Sequence, residues 1–271
     1  MRGVRPAAVA GLFYPEGQKA LEAELRRLTA SVPPPSHAAP PKALIVPHAG
    51  YIYSGPIAAR AYSCLKGADR IRRVVLLGPV HRVPVQGLAL PTAACFATPL
   101  GTVELDTATI SHLRSMPQVG VSDRAHQWEH SLEVQIPFLQ FYLKNFKLVP
   151  LAVGDASATE VADVLAAAWG GDETLIVVSS DLSHYHSYEV AKGVDRISAD
   201  AVLGLRPEGL EDEGACGAVP VRGLLLAARR KGLVAELLDL RNSGDTAGDR
   251  ERVVGYGAFA FRAPEKEMAY A

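Results

Sequence analysis

Four apolar runs of strand length constrain the fold of this chain more than any other feature. They are KALIVP (Lys42 to Pro47), RRVVLLGP (Arg72 to Pro79), KLVPLAVG (Lys147 to Gly154) and TLIVVSS (Thr174 to Ser180). Each is rich in Val, Leu and Ile, and none alternates with polar residues. Continuous apolar strands are covered on both faces, as in parallel sheets sandwiched by helices. Helical stretches lie between them: PIAARAYSCLKG, ATEVADVLAAAWGG and EVAKGVDRISADAVLGL, with PVRGLLLAARRKG beyond. Strand and helix therefore alternate, which predicts an α/β domain with a mainly parallel central sheet flanked by helices. VAELLDLRNSGD and VVGYGAFAFRA read as closing strands. QKALEAELRRLTA reads as an opening amphipathic helix with Leu21, Leu25 and Leu28 on one stripe.

The proline-rich segment Ser31 to Lys42 resists packing and reads as a stiff, exposed connection rather than a domain boundary. We therefore treat residues 1–271 as one domain, a length sufficient to bury a core. The formal net charge is -1, so no global field holds nucleic acid or an anionic membrane. No stretch approaches the ~20 apolar residues that span a bilayer, and the N-terminus lacks a signal-peptide core. The three cysteines, Cys64, Cys95 and Cys216, lack CxxC spacing, which argues against a disulfide framework or zinc ribbon. A reducing cytoplasm is the expected compartment.

Ligands of open α/β sheets bind beyond the carboxyl ends of the strands. Three of the apolar runs release a histidine there. His48 follows the first, His81 the second, and Asp181 with His184 the fourth. Cys216 sits in GACG between two glycines and ahead of a helix, a setting that favours a thiolate. Neutral imidazoles with one thiolate suit zinc, iron or copper. In WEHSLEVQIPFL, His130 and Glu133 stand three apart, as a shared helical face requires. Each residue also has a structural reading. Asp181 could cap the helix of His184. Cys216 alone is a small buried hydrophobe. His130 with Glu133 could be a surface pair. Tyr51 and Tyr53 are either core packing or a pocket wall beside His48. No GxSxG elbow, GxGxxG fingerprint or P-loop appears.

Taken in order, PHAGYIYSG, GPVHR, WEHSLEVQIPFL, SSDLSHY and GACG resemble the MEMO family, whose microbial members are called AmmeMemoRadiSam system protein B. GLFYP near the start and VVGYGAFAF at the end fit the same pattern. The resemblance implies the fold of class III extradiol ring-cleaving dioxygenases. It places His48 and His81 at the two metal histidines, and Cys216 where those enzymes carry a carboxylate. His184 falls at the acid/base histidine, with Asp181 beside it to orient it. His130 lines the pocket, with Glu133, Tyr51 and Tyr53 as further pocket residues. The cofactor implied is a metal ion, iron or copper before zinc. A thiolate is softer than a carboxylate, so dioxygenase chemistry does not transfer automatically. Two functions follow as expectations: a metal-dependent dioxygenase-like oxidoreductase acting on a small molecule, or a non-catalytic module that holds iron or copper or docks a peptide or partner. The family name suggests a radical-SAM or AMMECR1-like partner protein.

Overall fold

The computed structural model describes residues 3–264. In chain order the elements are β1 (Val4–Arg5), α1 (Gln18–Ala30), β2 (Ala43–Val46), α2 (Tyr51–Tyr62), β3 (Arg73–Pro79), β4 (Leu88–Leu90), β5 (Cys95–Thr98), β6 (Gly101–Glu104), α3 (Thr107–Leu113) and β7 (Val119–Val121). There follow α4 (Asp123–Gln127), α5 (Ile136–Tyr142), β8 (Lys147–Val153), α6 (Ala158–Ala167), β9 (Thr174–Ser179), β10 (His184–His186), α7 (Tyr188–Leu203), α8 (Ala218–Arg230), β11 (Val234–Asn242) and β12 (Val253–Arg262).

All four apolar runs are strands of one nine-stranded sheet, in the order β10-β12-β2-β9-β3-β8-β4-β7, with β11 on β12. Its centre is parallel: β2 with β9, β9 with β3, and β3 with β8. The flanks are antiparallel, where β12 joins β2 and β4 joins β8. The sheet is therefore mixed: β4 and β7 form a second parallel pair at its edge, and its parallel centre is made by the strands that read as continuous apolar runs. Those strands are buried along almost their whole length, as double coverage by helices demands. A second sheet, β1-β5-β6, was not apparent in the sequence, because its strands are two to four residues long and carry little periodicity. Cys95 lies on β5 of this sheet.

The proline-rich segment lies against the protein. Arg60 donates to the Pro33 carbonyl, Arg262 to the Ala39 carbonyl, and Lys42 Nζ to the carbonyls of Trp169, Gly171 and Thr174. Among the described residues, no helix is long and apolar enough to cross a membrane.

Candidate metal centre

Because β2, β9 and β3 are adjacent and parallel, their carboxyl ends open on one edge of the sheet. Neighbouring strands lie about 4.8 Å apart, so the first residues beyond them meet as a matter of course. His48 leaves β2, Asp181 leaves β9 and His81 leaves β3. Cys216 arrives from the turn before α8. That turn comes close only because residue 217 is glycine. A Cβ there would stand 2.6 Å from the Ser180 side chain and 2.9 Å from the Ser179 carbonyl. The thiol then lies 3.2 Å from His48 Nε2.

The hydrogen bonds assign the ring tautomers. Ser179 Oγ donates its single proton to the Ser131 carbonyl at 2.6 Å. Towards His48 Nδ1, 2.8 Å away, that hydroxyl can only accept. His48 therefore carries its proton on Nδ1 and turns a bare Nε2 towards Cys216. His81 is held in the same sense. Glu129 Oε1 accepts from His81 Nδ1 at 2.8 Å, and Oε2 accepts from its backbone N–H at 2.6 Å. His81 Nε2 is thus the bare atom. A carboxylate or hydroxyl behind each imidazole is the usual support of a metal-ligating histidine.

Burial disfavours charge on His48, His130 and His184. Burial drives His48 well below the ordinary imidazole range, reinforced by His130, His81 and His184. Burial also lowers His130 to about 4 against the pull of Glu129, and lowers His184. Burial alone would raise Glu129. The His81 ring and the backbone amides of Ser131 and His81 outweigh it and bring Glu129 down to about 2. Burial, then the charge of Asp181, pushes the Cys216 thiol well above its usual range, so a metal must displace its proton on binding.

His48, His81 and Cys216 bring their donor atoms within 4.8 Å of one another, and so do His81, Glu129 and His130. The first set fits a transition metal better. Each of its two imidazoles has its outer nitrogen held by a hydrogen bond, and its thiol is the soft donor that iron, copper and zinc accept. In the second set the Glu129 carboxylate already serves His81, Ser131 and His130.

The other expected residues take varied places. His130 stacks on His81 with centroids 4.5 Å apart and meets Phe13 at 4.7 Å, so it stands beside His48 and His81. His184 Nδ1 lies 2.8 Å from the Leu182 carbonyl, which orients the ring and leaves Nε2 open. Asp181 does not orient it. Its Oδ1 instead accepts from the His48 backbone N–H at 2.7 Å, and burial raises it to about 7 against the amides of His48 and Ala49. Glu133 is neither a pocket residue nor a surface partner of His130. It is fully buried, paired with Arg5, and accepts from Ala8 N, Val9 N and Tyr14 Oη. Residues 128–132 form a turn rather than a helix, which separates His130 from Glu133. Pro137 lies in the first turn of α5, where it starts a helix instead of breaking one. Tyr51 is core: its hydroxyl donates to the Val134 carbonyl at 2.8 Å and its ring packs on Phe138. Tyr53, on α2, is 40% exposed.

Glu129, Ser179 and Gln135 escaped the sequence reading. Gln135 Nε2 bridges the Pro47 carbonyl and Ser179 Oγ. The available signal was the pair Glu129-His130, passed over for the helical spacing of His130 and Glu133. The arrangement yields a prediction. Glu129→Gln lowers metal affinity by about 10- to 100-fold without loss of the fold, measured by competition with a chromophoric chelator. The variant also tests a pH effect. A carboxylate depressed from 4.5 to about 2 stabilises the fold above its unfolded value and loses that contribution on acidification. The stability gap between wild type and variant should close as the pH falls from about 4.5 to about 2, followed by urea unfolding.

The chain is similar to known proteins over nearly its whole length. The family profile described as Memo-like protein matches residues 5–260. A "MEMO1 family protein" of Archaeoglobus fulgidus is 36% identical over 275 residues, covering 96% of this chain and all of the relative. One from Aquifex aeolicus is 36% identical over 272 residues, covering 95% of this chain and 99% of the relative. One from Methanosarcina mazei is 35% identical, covering 94% and 98%. With a profile spanning nearly the whole chain and full-length relatives above a third identical, this chain belongs to the Memo-like protein family.

Proposed function

We propose that this protein binds one transition-metal ion through His48 Nε2, His81 Nε2 and Cys216 Sγ, and uses it in redox chemistry on a small molecule. The observation that carries the proposal is the pair of supported imidazoles. Each has its outer nitrogen spoken for, and each turns its bare nitrogen towards one shared position beside a thiol. Iron or copper bound there supplies Lewis acidity and one-electron redox chemistry.

The surrounding residues then have distinct tasks. Glu129 and Ser179 hold the two imidazoles. Asp181 anchors the backbone on which His48 sits and places its amide 3.3 Å from Cys216 Sγ. His184 keeps Nε2 free while Leu182 fixes its other nitrogen. Burial keeps it neutral at physiological pH, so it can take a proton from a substrate hydroxyl. His130, stacked on His81 and covered by Phe13, closes one side against water.

The test begins with protein purified without oxygen or chelators. Mass spectrometry should find close to one iron or copper per chain, and an oxygen electrode should record uptake with members of a catechol panel. His184→Ala should keep the metal while lowering turnover by about 10²- to 10⁴-fold. A metal-free protein that cannot be reconstituted would overturn the proposal. A second reading, a protein that holds iron or copper without turnover, is favoured by the thiolate in place of a carboxylate. Stoichiometric metal with no oxygen uptake would select it.

A further inference from the structure

The buried tyrosines divide into two groups. Tyr14 donates to Glu133 at 2.6 Å, Tyr51 to the Val134 carbonyl at 2.8 Å, and Tyr62 to Gln135 at 2.8 Å. That is the normal state of a buried phenol, which seeks a partner for its hydroxyl. Tyr256 differs. It is 1% exposed, yet its hydroxyl makes no hydrogen bond to any described residue. Nor is that hydroxyl sealed inside the protein, as the orphaned Nδ1 of His126 is.

The direction of the side chain follows from β12. Residues on a strand alternate between faces. Gly255 faces α7, since a Cβ there would meet the Asp195 carboxylate at 2.1–2.4 Å. Tyr256 therefore points the other way, to the side that carries Tyr53 on α2. The same part of β12 is tied to the loop of the centre. Leu182 N donates to the Gly255 carbonyl at 2.8 Å, and Gly255 N to the Ser183 carbonyl at 2.8 Å. Tyr256 thus stands beside the chain that runs from Asp181 to His184. Burial, then the charges of Asp181 and Tyr53, raises its phenol far above the usual range, so it stays protonated as a donor.

We infer that Tyr256 is a ligand-contacting residue of the centre: its hydroxyl donates a hydrogen bond to an oxygen of the bound small molecule, a phenolate or carboxylate oxygen by preference. This rests on the small-molecule reading above. It adds the chemistry of the ligand, which must present an oxygen acceptor to the β12 side of the site. A hydrogen bond from a protonated phenol is strongest to a charged oxygen.

The test is Tyr256→Phe, which removes one oxygen and keeps the ring. Iron-loaded wild type and variant would be titrated anaerobically with 4-nitrocatechol, whose absorption reports binding. We expect the variant to bind it about 10- to 100-fold more weakly, with unchanged iron content. The thermal midpoint of the metal-free protein should also be unchanged, because no hydrogen bond within the protein is lost. Equal affinity in the two proteins overturns the inference. So does a midpoint several degrees lower in the metal-free variant, which would give the hydroxyl a structural partner. If wild type takes up no metal, the metal reading fails on its own. The same titration of metal-free protein still decides Tyr256, because equal binding, or none, overturns its role.

Discussion

Cys216→Ser empties the centre: metal content should fall from about one ion per chain to nearly none, while the metal-free fold is retained. Serine keeps a group that can accept from the Asp181 amide, as the thiol does now. The stability change should therefore stay within about 1 kcal/mol. What is lost is the soft, anionic donor. Two neutral imidazoles without it form a weak pair of ligands for any divalent ion. The companion variant Cys216→Asp is more informative still. It restores an anionic donor of the harder kind, so metal should return with preference moved from copper and zinc towards iron. Metal analysis of the three proteins after reconstitution with an equimolar mixture reads both effects. Full occupancy in Cys216→Ser would move the centre to the neighbouring set His81, Glu129 and His130.

The largest effect on stability should come from a residue with no chemistry of its own. Glu133→Leu leaves the Arg5 guanidinium buried without its partner and strands Ala8 N, Val9 N and Tyr14 Oη. Breaking a buried ion pair from one side costs about 3–5 kcal/mol, and each orphaned donor adds about 1–3 kcal/mol. The expected loss is thus comparable to the whole stability of a domain, typically about 5–15 kcal/mol. The variant should be largely unfolded at 37 °C by circular dichroism. Glu133→Gln, which keeps an acceptor oxygen, should be destabilised but folded. The metal site should suffer with the fold. Arg5 also donates to the carbonyls of His126 and Glu129, so the same cluster sets the turn that carries Glu129 and His130. A stably folded Glu133→Leu that has lost only its metal would return Glu133 to the pocket, the place its spacing from His130 suggested.

How far the sequence reached can be judged residue by residue. The runs ending at Pro47, Pro79 and Ser180 announced their strands because a strand covered on both faces has no choice but to be apolar throughout. Once those strands were known to be parallel, His48, His81 and Asp181 had to emerge at one end of the sheet. Cys216 came through its glycines, since close approach leaves its mark in residue type. The strands β4, β7 and β10 and the three-stranded sheet were hidden. Short strands carry too few residues to show a period.

The supports of the centre were hidden for a different reason. Glu129 lies 48 residues from His81, and Ser179 lies 131 residues from His48. A hydrogen bond between residues so far apart depends on the path of the chain, and the residue types alone do not specify it. The same holds for Glu133 and Tyr256. One is an acid that reads as surface and is sealed in the core; the other is a tyrosine that reads as core and keeps an unpaired hydroxyl. By itself the sequence determined the four central strands, their parallel run and the ends that carry His48, His81 and Asp181, because burial and backbone approach restrict residue type locally. The tertiary structure alone decided which nitrogen of each histidine is free, what holds it, and which polar groups face the site. Those outcomes depend on the pairing of groups that meet only after folding.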